Sequence, residues 1–334
     1  MTRRLAYLLS VAVVLWGIAA VPMPFYEVQP GSARPVEDLV TLETSTTEIN
    51  GDLDLLTTRQ LTPNVLEALW IAITPDRELL PAQDRTPPGI DLEEYFGLQE
   101  LAFETSFLTA IAVAAEEAGL EVELRTRAIV AQVLPGGPSD GVLLAGDTII
   151  ALDGVPVASA NDLITELQQS DEERTVTLDV LRGDEELSLD IAMRQLPETE
   201  RPVIGILAET VADEPDLPFE VAVDRQNIAG PSAGLMLALT AADLLLEEDL
   251  AAGRVIAGTG TIARDGRVGP VSGVEEKTRA AIEAGAELLL VPLEALPDTA
   301  AAAEAGIRVV GVETFQDALD AVRGLSDDSV AAPG

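Results

Sequence analysis

The sequence predicts a mixed α/β (α+β) body, interrupted by a mainly β segment and preceded by one apolar membrane helix. Three observations carry this. An uncharged run fills Leu5 to Tyr26, directly behind Arg3 and Arg4. Between residues 125 and 195, short β-like runs are joined by tight turns. From Pro202 onward, apolar runs of helical and of strand period alternate.

Composition narrows the function before any motif is read. The chain has 334 residues, 47% of them hydrophobic, which suggests two domains and rules out wholesale disorder. Its 58 acidic and 20 basic residues leave a net charge of −38. Nucleic acid is disfavoured as a partner, and so is electrostatic attachment to anionic lipid. Such self-repulsion is tolerated best where salt screens it, and a saline habitat and a GC-rich genome both fit the composition. There is no cysteine and no histidine. Disulfides, thiolate chemistry, a Ser-His-Asp triad and imidazole metal sites are therefore excluded. No cofactor is implied. A base working near neutral pH must be a carboxylate, an amine or a tyrosine.

Along the chain, Leu5 to Val21 would rise about 25 Å as a helix, enough to span a bilayer with flanking help. Pro22 and Pro24 end it. Arg3 and Arg4 place the N-terminus in the cytoplasm and the body outside, so a single-pass cell-membrane protein is expected. A signal peptide cleaved after Ala20 is the competing reading. Residues 27 to 62 hold turn signals at Pro30-Gly31 and Asn50-Gly51 and a strand-like run, Gly51 to Leu61. A helix is expected at about 63–74. A longer one should cover Leu92 to Ala118, where apolar Phe96, Leu101, Phe107, Leu108 and Ile111 recur with helical period, and Gly119 is its C-cap.

The β-rich segment has hairpin signals at Asp153-Gly154 and Gly183-Asp184. One helix fits Asn161 to Gln168, with Asn161 as N-cap and Leu163, Ile164 and Leu167 facing inward. The run "VLPGGPSDGVLLAGDTIIALDGVPVASANDL" is similar to the PDZ domains of bacterial proteases. That resemblance implies a peptide groove between the strand Ile129–Val133 and this helix, lined by Ala128, Ile129, Val130, Leu163 and Leu167, where an extended peptide adds as a strand. The expected carboxylate-binding loop near Thr126 to Ile129 has Arg127 and Ala128 where the family has glycine. A PDZ acting only as a spacer is the alternative.

Two features further on could do chemistry together. "NIAGPSAGLMLALTAADLL" sets Ser232 behind Gly230-Pro231 at the entry of an apolar helix. Backbone N–H groups there are unpaired and sit at the positive end of the helix dipole, so they could hold an oxyanion. Taken alone, the serine is equally an ordinary N-cap. Lys277, in "GVEEKTRAAIEAG", is the only lysine, every other basic residue being arginine. Arginine cannot lose its proton in a protein, whereas a desolvated lysine can. Taken alone, the lysine is also what compositional drift could leave behind. A serine without histidine needs such a base, as Ser-Lys dyads have.

These segments resemble the peptidase domain of the Lon family. "GPSAGL" is similar to its nucleophile motif and "GTGTIARDGRVGPVSGVEEKTRAAIEAGAELLLVP" to the stretch that carries its dyad lysine. Over nearly the whole chain the closer resemblance is to the exported, singly anchored, PDZ-containing Lon-like serine proteases of the YlbL-like group. The resemblance implies an anchor at 1–26, a protease domain formed by 27–124 and 196–324, a PDZ domain inserted at 125–195 and a loose tail at 325–334. It makes Ser232 the nucleophile, Lys277 the general base and Thr259 a residue that orients the lysine, with main-chain N–H groups near Ser232 forming the oxyanion site and Gly230 and Ala233 as supporting residues. Many Lon enzymes have an acidic residue before Gly-Pro-Ser; here it is Ala229. The resemblance further implies exposed or unfolded protein segments as substrates and a hexameric ring. No G-x-x-x-x-G-K-[ST] loop exists, because the only lysine follows Glu275 and Glu276. To serve as base, Lys277 must lose about two pKa units through burial, with both glutamates turned to solvent. A catalytically silent PDZ scaffold and a flavodoxin-like binding domain are the competing functions.

Overall fold

The computed structural model describes residues 23–42, 50–74, 77–82, 86, 92–169, 172–196, 201–213, 215–224, 228–246 and 248–330. The expected membrane helix, Leu5 to Val21, lies outside them. The first stretch forms β1 (Phe25–Pro35), β2 (Val40–Leu42), β3 (Gly51–Leu61), α1 (Val65–Ile73), β4 (Leu80–Pro81) and α2 (Leu92–Glu117). The second forms β5 (Thr126–Val133), β6 (Thr148–Leu152), β7 (Val155–Pro156), α3 (Ala160–Leu167), β8 (Thr175–Arg182), β9 (Glu185–Ala192), β10 (Arg194–Gln195), β11 (Pro202–Val203) and β12 (Ile206–Ala212). The third forms β13 (Val221–Val223), α4 (Gly234–Leu246), β14 (Arg254–Gly258), β15 (Thr261–Ile262), β16 (Val268–Gly269), α5 (Val274–Ala284), β17 (Leu288–Pro292), α6 (Ala300–Glu304), β18 (Arg308–Val312) and α7 (Phe315–Val330).

Strands from the first and third stretches share one sheet, in the order β18-β17-β14-β3-β1-β4. β14 pairs in parallel with β3, Arg254 opposite Gly51 and Gly258 opposite Leu55. The second stretch is thus an insertion between two halves of one sheet. Parallel strands covered on both faces read as continuous apolar runs, and all five residues of β17 are buried. Leu288 and Leu290 pack with residues of α2, α4 and α7. Leu289 and Val291 point the other way, against α5 and α6. Among the described residues, α2 is the one helix long and apolar enough to cross a membrane. Phe103, Ala110, Ile111 and Ala114 on it are fully buried in the protein core.

The inserted segment folds as a sheet of order β12-β5-β6-β8-β9, with β7 on β6. Asp153 (φ 50) and Gly154 (φ 79) turn one hairpin, and Gly183 (φ 62) begins the two-residue turn between β8 and β9. Asp147, 1% exposed, accepts two hydrogen bonds from Arg182 and one from Leu144 N. The Arg182 bonds hold its carboxyl below the usual range.

Four local expectations need correction. Pro30-Gly31 is a bulge within β1 rather than a turn, because Gly31 lies against Thr57, where a Cβ would stand 2.4 Å from its Oγ1. The cap of α3 is Ser159, not Asn161, since its hydroxyl accepts from Asp162 N at 3.1 Å. Ile164 is 46% exposed, so only Leu163 and Leu167 of that trio face inward. α7 runs to Val330, so the first part of the expected tail is helical; its buried stripe is Phe315, Leu319, Val322 and Leu325.

Candidate active site

Ser232 sits in a 3-10 turn, Pro231–Ala233, that leads directly into α4. Gly230 before it has φ 86, a left-handed value that glycine alone adopts freely. A Cβ there would also meet the Gln99 amide oxygen at 2.7 Å. α2 holds this turn at two points. Gly230 N donates to Gln99 O at 2.8 Å, and Ser106 Oγ donates to Pro231 O at 3.0 Å. Gly234 allows the close approach, since a Cβ would stand 2.5 Å from Ser106 Oγ.

The strand–loop after β14 meets the turn from the other side. Gly260 N donates to Ser232 O, Leu235 N donates to Gly260 O, and Thr259 Oγ1 donates to Ser232 O at 3.2 Å. Thr259 is fully buried. A hydroxyl has one proton to give, so its lone pairs face the remaining neighbour. That neighbour is Lys277, whose Nζ donates to Thr259 Oγ1 at 3.0 Å. The threonine therefore bridges the Ser232 backbone and the lysine.

Lys277 lies on the first turn of α5, after Gly273 in the left-handed region. It is 4% exposed, and burial lowers its pKa from 10.5 to about 8. Glu275 is exposed and near Arg279, at 3.6 Å, so its charge is turned away from the buried amine and screened. Ser232 itself is half-buried. Beside the start of α5 a cleft of 640 Å³ opens, lined by Tyr26, Thr58, Tyr95, Ser272, Glu276 and Arg279 among others.

Thr259 thus joins Lys277 to the backbone of the turn that holds Gly230, Ser232 and Ala233. No local motif marks Gln99 and Ser106, because their roles depend on how α2 packs. Gly230 N, committed to Gln99, is not positioned to receive an oxyanion.

The groove expected at Ile129–Val133 is differently placed. β5 is paired on one side with β12 and on the other with β6, so it offers no edge for an added strand. Ala128, Val130 and Leu163 are 0–1% exposed and belong to the core of the insert, while Ile129 is half-buried and Leu167 packs partly on that core. The edge on this side is β12, seventy-odd positions later in the chain. Its readable signal is Ile204-Gly205-Ile206, an apolar-Gly-apolar turn in which Gly205 has φ 74.

Residues 111–193 match the PDZ domain family, and residues 220–322 match the Lon protease (S16) C-terminal proteolytic domain. The chain joins a PDZ domain to a Lon-type proteolytic domain. HhoA of Synechocystis sp., named as a serine protease, is 38% identical over 20% of this chain and 18% of its own length. The Lon protease of Campylobacter concisus is 36% identical over 27% of this chain and 11% of its own. The chain thus spans less than a fifth of either curated relative. A solved PDZ domain of an SdrC-like protein from Listeria monocytogenes is 26% identical, covering 27% of this chain and 93% of that one, with a TM-score of 0.24. In the Lon-type domain described here, the helix of Lys277 and the turn of Ser232 fall on opposite faces of the shared sheet and meet at its β14 end.

Proposed function

We infer that this protein is an ATP-independent serine endopeptidase with a Ser232–Lys277 dyad, held at the cell membrane with its body outside. The observation that carries the reading is the Lys277 amine, buried, lowered to about pKa 8 and hydrogen-bonded to the threonine that holds the Ser232 carbonyl. Such an amine is substantially neutral under mildly alkaline conditions and available as a base. Neutral Lys277 takes the Ser232 proton as Oγ attacks the scissile carbonyl. The resulting oxyanion is held by the backbone N–H groups of Ser232 and Ala233, at the head of α4. Lys277 then returns the proton to the leaving amine, and water hydrolyses the ester by the same route in reverse.

Substrates are extended or unfolded segments of exported and membrane proteins, since the chain carries no nucleotide-binding loop to unfold them. The PDZ domain recruits them or regulates the site.

The test is cleavage of a disordered protein, casein, by the full chain in high salt, without ATP. Cleavage should occur, and both Ser232→Ala and Lys277→Arg should abolish it. Cleavage that survives either substitution overturns the dyad. An inactive wild type whose Lys277 is labelled by amine reagents with a midpoint at or above about 10, the unperturbed value, makes the protein a silent PDZ scaffold.

A further inference from the structure

Helix α1 buries Ala68 and Ile71 and leaves its other side bare. Leu66, Leu69, Trp70 and Ile73 are 52, 61, 61 and 74% exposed. They stand at i, i+3, i+4 and i+7, a single stripe about 100° wide. Fraying does not explain this. Asn64 Oδ1 accepts from Leu66 N and Glu67 N, and the Glu67 carboxylate accepts from Asn64 N, closing a capping box. Four large apolar side chains are therefore presented on a fixed helix, in a body that otherwise has a large charge.

Position says what covers them. Met23 N donates to Pro63 O at 2.9 Å, next to the cap Asn64. Only Pro22 separates Met23 from Val21, where the helix-compatible part of the uncharged run, Leu5 to Val21, ends. Two residues of chain reach about 7 Å, so a membrane helix ending at Val21 would have to end within that reach of the Pro63 contact, next to α1. A bilayer that takes up Leu5 to Val21 has its surface at this helix. The stripe also has the composition such a surface selects, three aliphatic side chains around a tryptophan. The one charge on α1, Glu67, is engaged by the cap. Apolar burial is the contact left to a chain of net charge −38, which anionic headgroups repel.

The geometry points to α1 as an interfacial helix, its Leu66–Leu69–Trp70–Ile73 stripe seated at the headgroup–acyl boundary of the membrane that holds the N-terminal run. This rests on the proposed anchor, and it fixes the body by two attachments rather than one tether.

The chain has two tryptophans, Trp16 and Trp70, so the full chain with Trp16→Phe reports on α1 alone. It is reconstituted into phosphatidylcholine vesicles, plain or brominated near the headgroup end of the acyl chains. Flotation after an alkaline carbonate wash reads the anchor, and Trp70 emission reads the helix. The expected result is carbonate-resistant flotation with Trp70 blue-shifted and most of its emission lost to the bromines. Flotation with unquenched Trp70 overturns the interfacial helix and leaves the anchor standing. A blue shift without quenching puts a second copy of the chain on the stripe and overturns it as well. Quenching without carbonate-resistant flotation keeps the helix and removes the anchor, and loss of both removes both. Leu66→Gln with Leu69→Gln, on exposed positions, should restore emission without lowering the melting temperature; persistent quenching in that variant overturns the proposal.

Discussion

Thr105 Oγ1 on α2 donates to Thr210 O on β12 at 3.1 Å and accepts from Ala212 N at 3.4 Å. The carbonyl of one residue and the amide two residues on lie on the same edge of a strand, so the threonine occupies hydrogen-bonding positions that an added strand would use. Its neighbour Ser106 donates to Pro231 O, beside Ser232. One turn of one helix thus grips the PDZ edge strand and the turn of the proposed nucleophile. Ala160 N, at the start of α3, donates to Thr210 Oγ1 at 3.0 Å, so the same residue also ties β12 to the PDZ helix.

Thr105→Val keeps the shape of the side chain and removes both hydrogen bonds. A neutral hydrogen bond of this kind contributes about 1 kcal/mol, and leaving its partner unsatisfied costs somewhat more. The urea midpoint should fall accordingly, and the Ala212 amide should exchange faster with deuterium. Thr105→Ser should preserve both readouts. Unchanged exchange at Ala212 in the valine variant would show that the contact does not protect the strand edge.

Lys277 should be a liability to the fold. Its pKa falls from 10.5 to about 8, because burial disfavours the ammonium. Between those values the native state binds fewer protons than the unfolded chain, so stability rises with pH across that window and the penalty is full below it. The shift corresponds to on the order of 3 kcal/mol. Lys277→Met should therefore abolish cleavage and raise the melting temperature at pH 7, with the difference shrinking as pH climbs from 8 to 10. A methionine variant less stable than wild type at pH 7 would contradict the buried amine.

How much of this the sequence displayed depends on whether the determinant was local. Ser232 and Lys277 stand out in the sequence as candidates, one because Gly-Pro-Ser-Ala-Gly enters a helix, the other because it is the only lysine. The strand Gly51–Leu61 and the hairpin at Asp153-Gly154 were legible too, from periodicity and turn chemistry. The PDZ edge was not. β5 reads as an edge strand until β12 returns from beyond the apparent end of the domain to pair with it, Ala212 opposite Thr126. Gln99 and Ser106 were equally hidden, since they lie on a helix whose apolar residues explain it fully without them. Helix α1 was placed to within two residues, but its exposed stripe looks in sequence like any core-facing one.

Thr259 should act through the lysine. Its oxygen accepts from Nζ at 3.0 Å while its proton is held by Ser232 O. Thr259→Val removes an acceptor that favours the ammonium and loosens the amine that must meet Ser232. One such hydrogen bond is about a factor of ten in rate, so kcat should drop about tenfold or more. The alkaline-side rise of kcat/KM, expected near the Lys277 value of about 8, should move to lower pH. Thr259→Ser should restore both. A valine variant with reduced kcat and an unmoved pH profile would leave the threonine a packing residue only.

Glu37 and Asp54 set the opposite pH trend. Burial pushes Glu37 up to about 7, with Asp52 and Asp54 adding to it, and pushes Asp54 up to about 6, again aided by Asp52. One carboxylate oxygen of each is buried with no partner. A folded-state pKa above the unfolded one means that the native state binds more protons in between. Stability from these groups is full below about pH 4, the unfolded carboxylate range, and is lost as pH rises through 6 and 7. Glu37→Gln keeps the shape and removes the charge, so it should stabilise the protein at pH 8 by about 1 kcal/mol or more, after allowance for the partial exposure of the site. At pH 4.5 the two proteins should melt together. The measurement is a pair of thermal melts at each pH in constant high salt, which holds the rest of the acidic surface equally screened. A gap that is the same at both pH values would mean that Glu37 titrates normally and that the buried acid cluster is not what its geometry indicates.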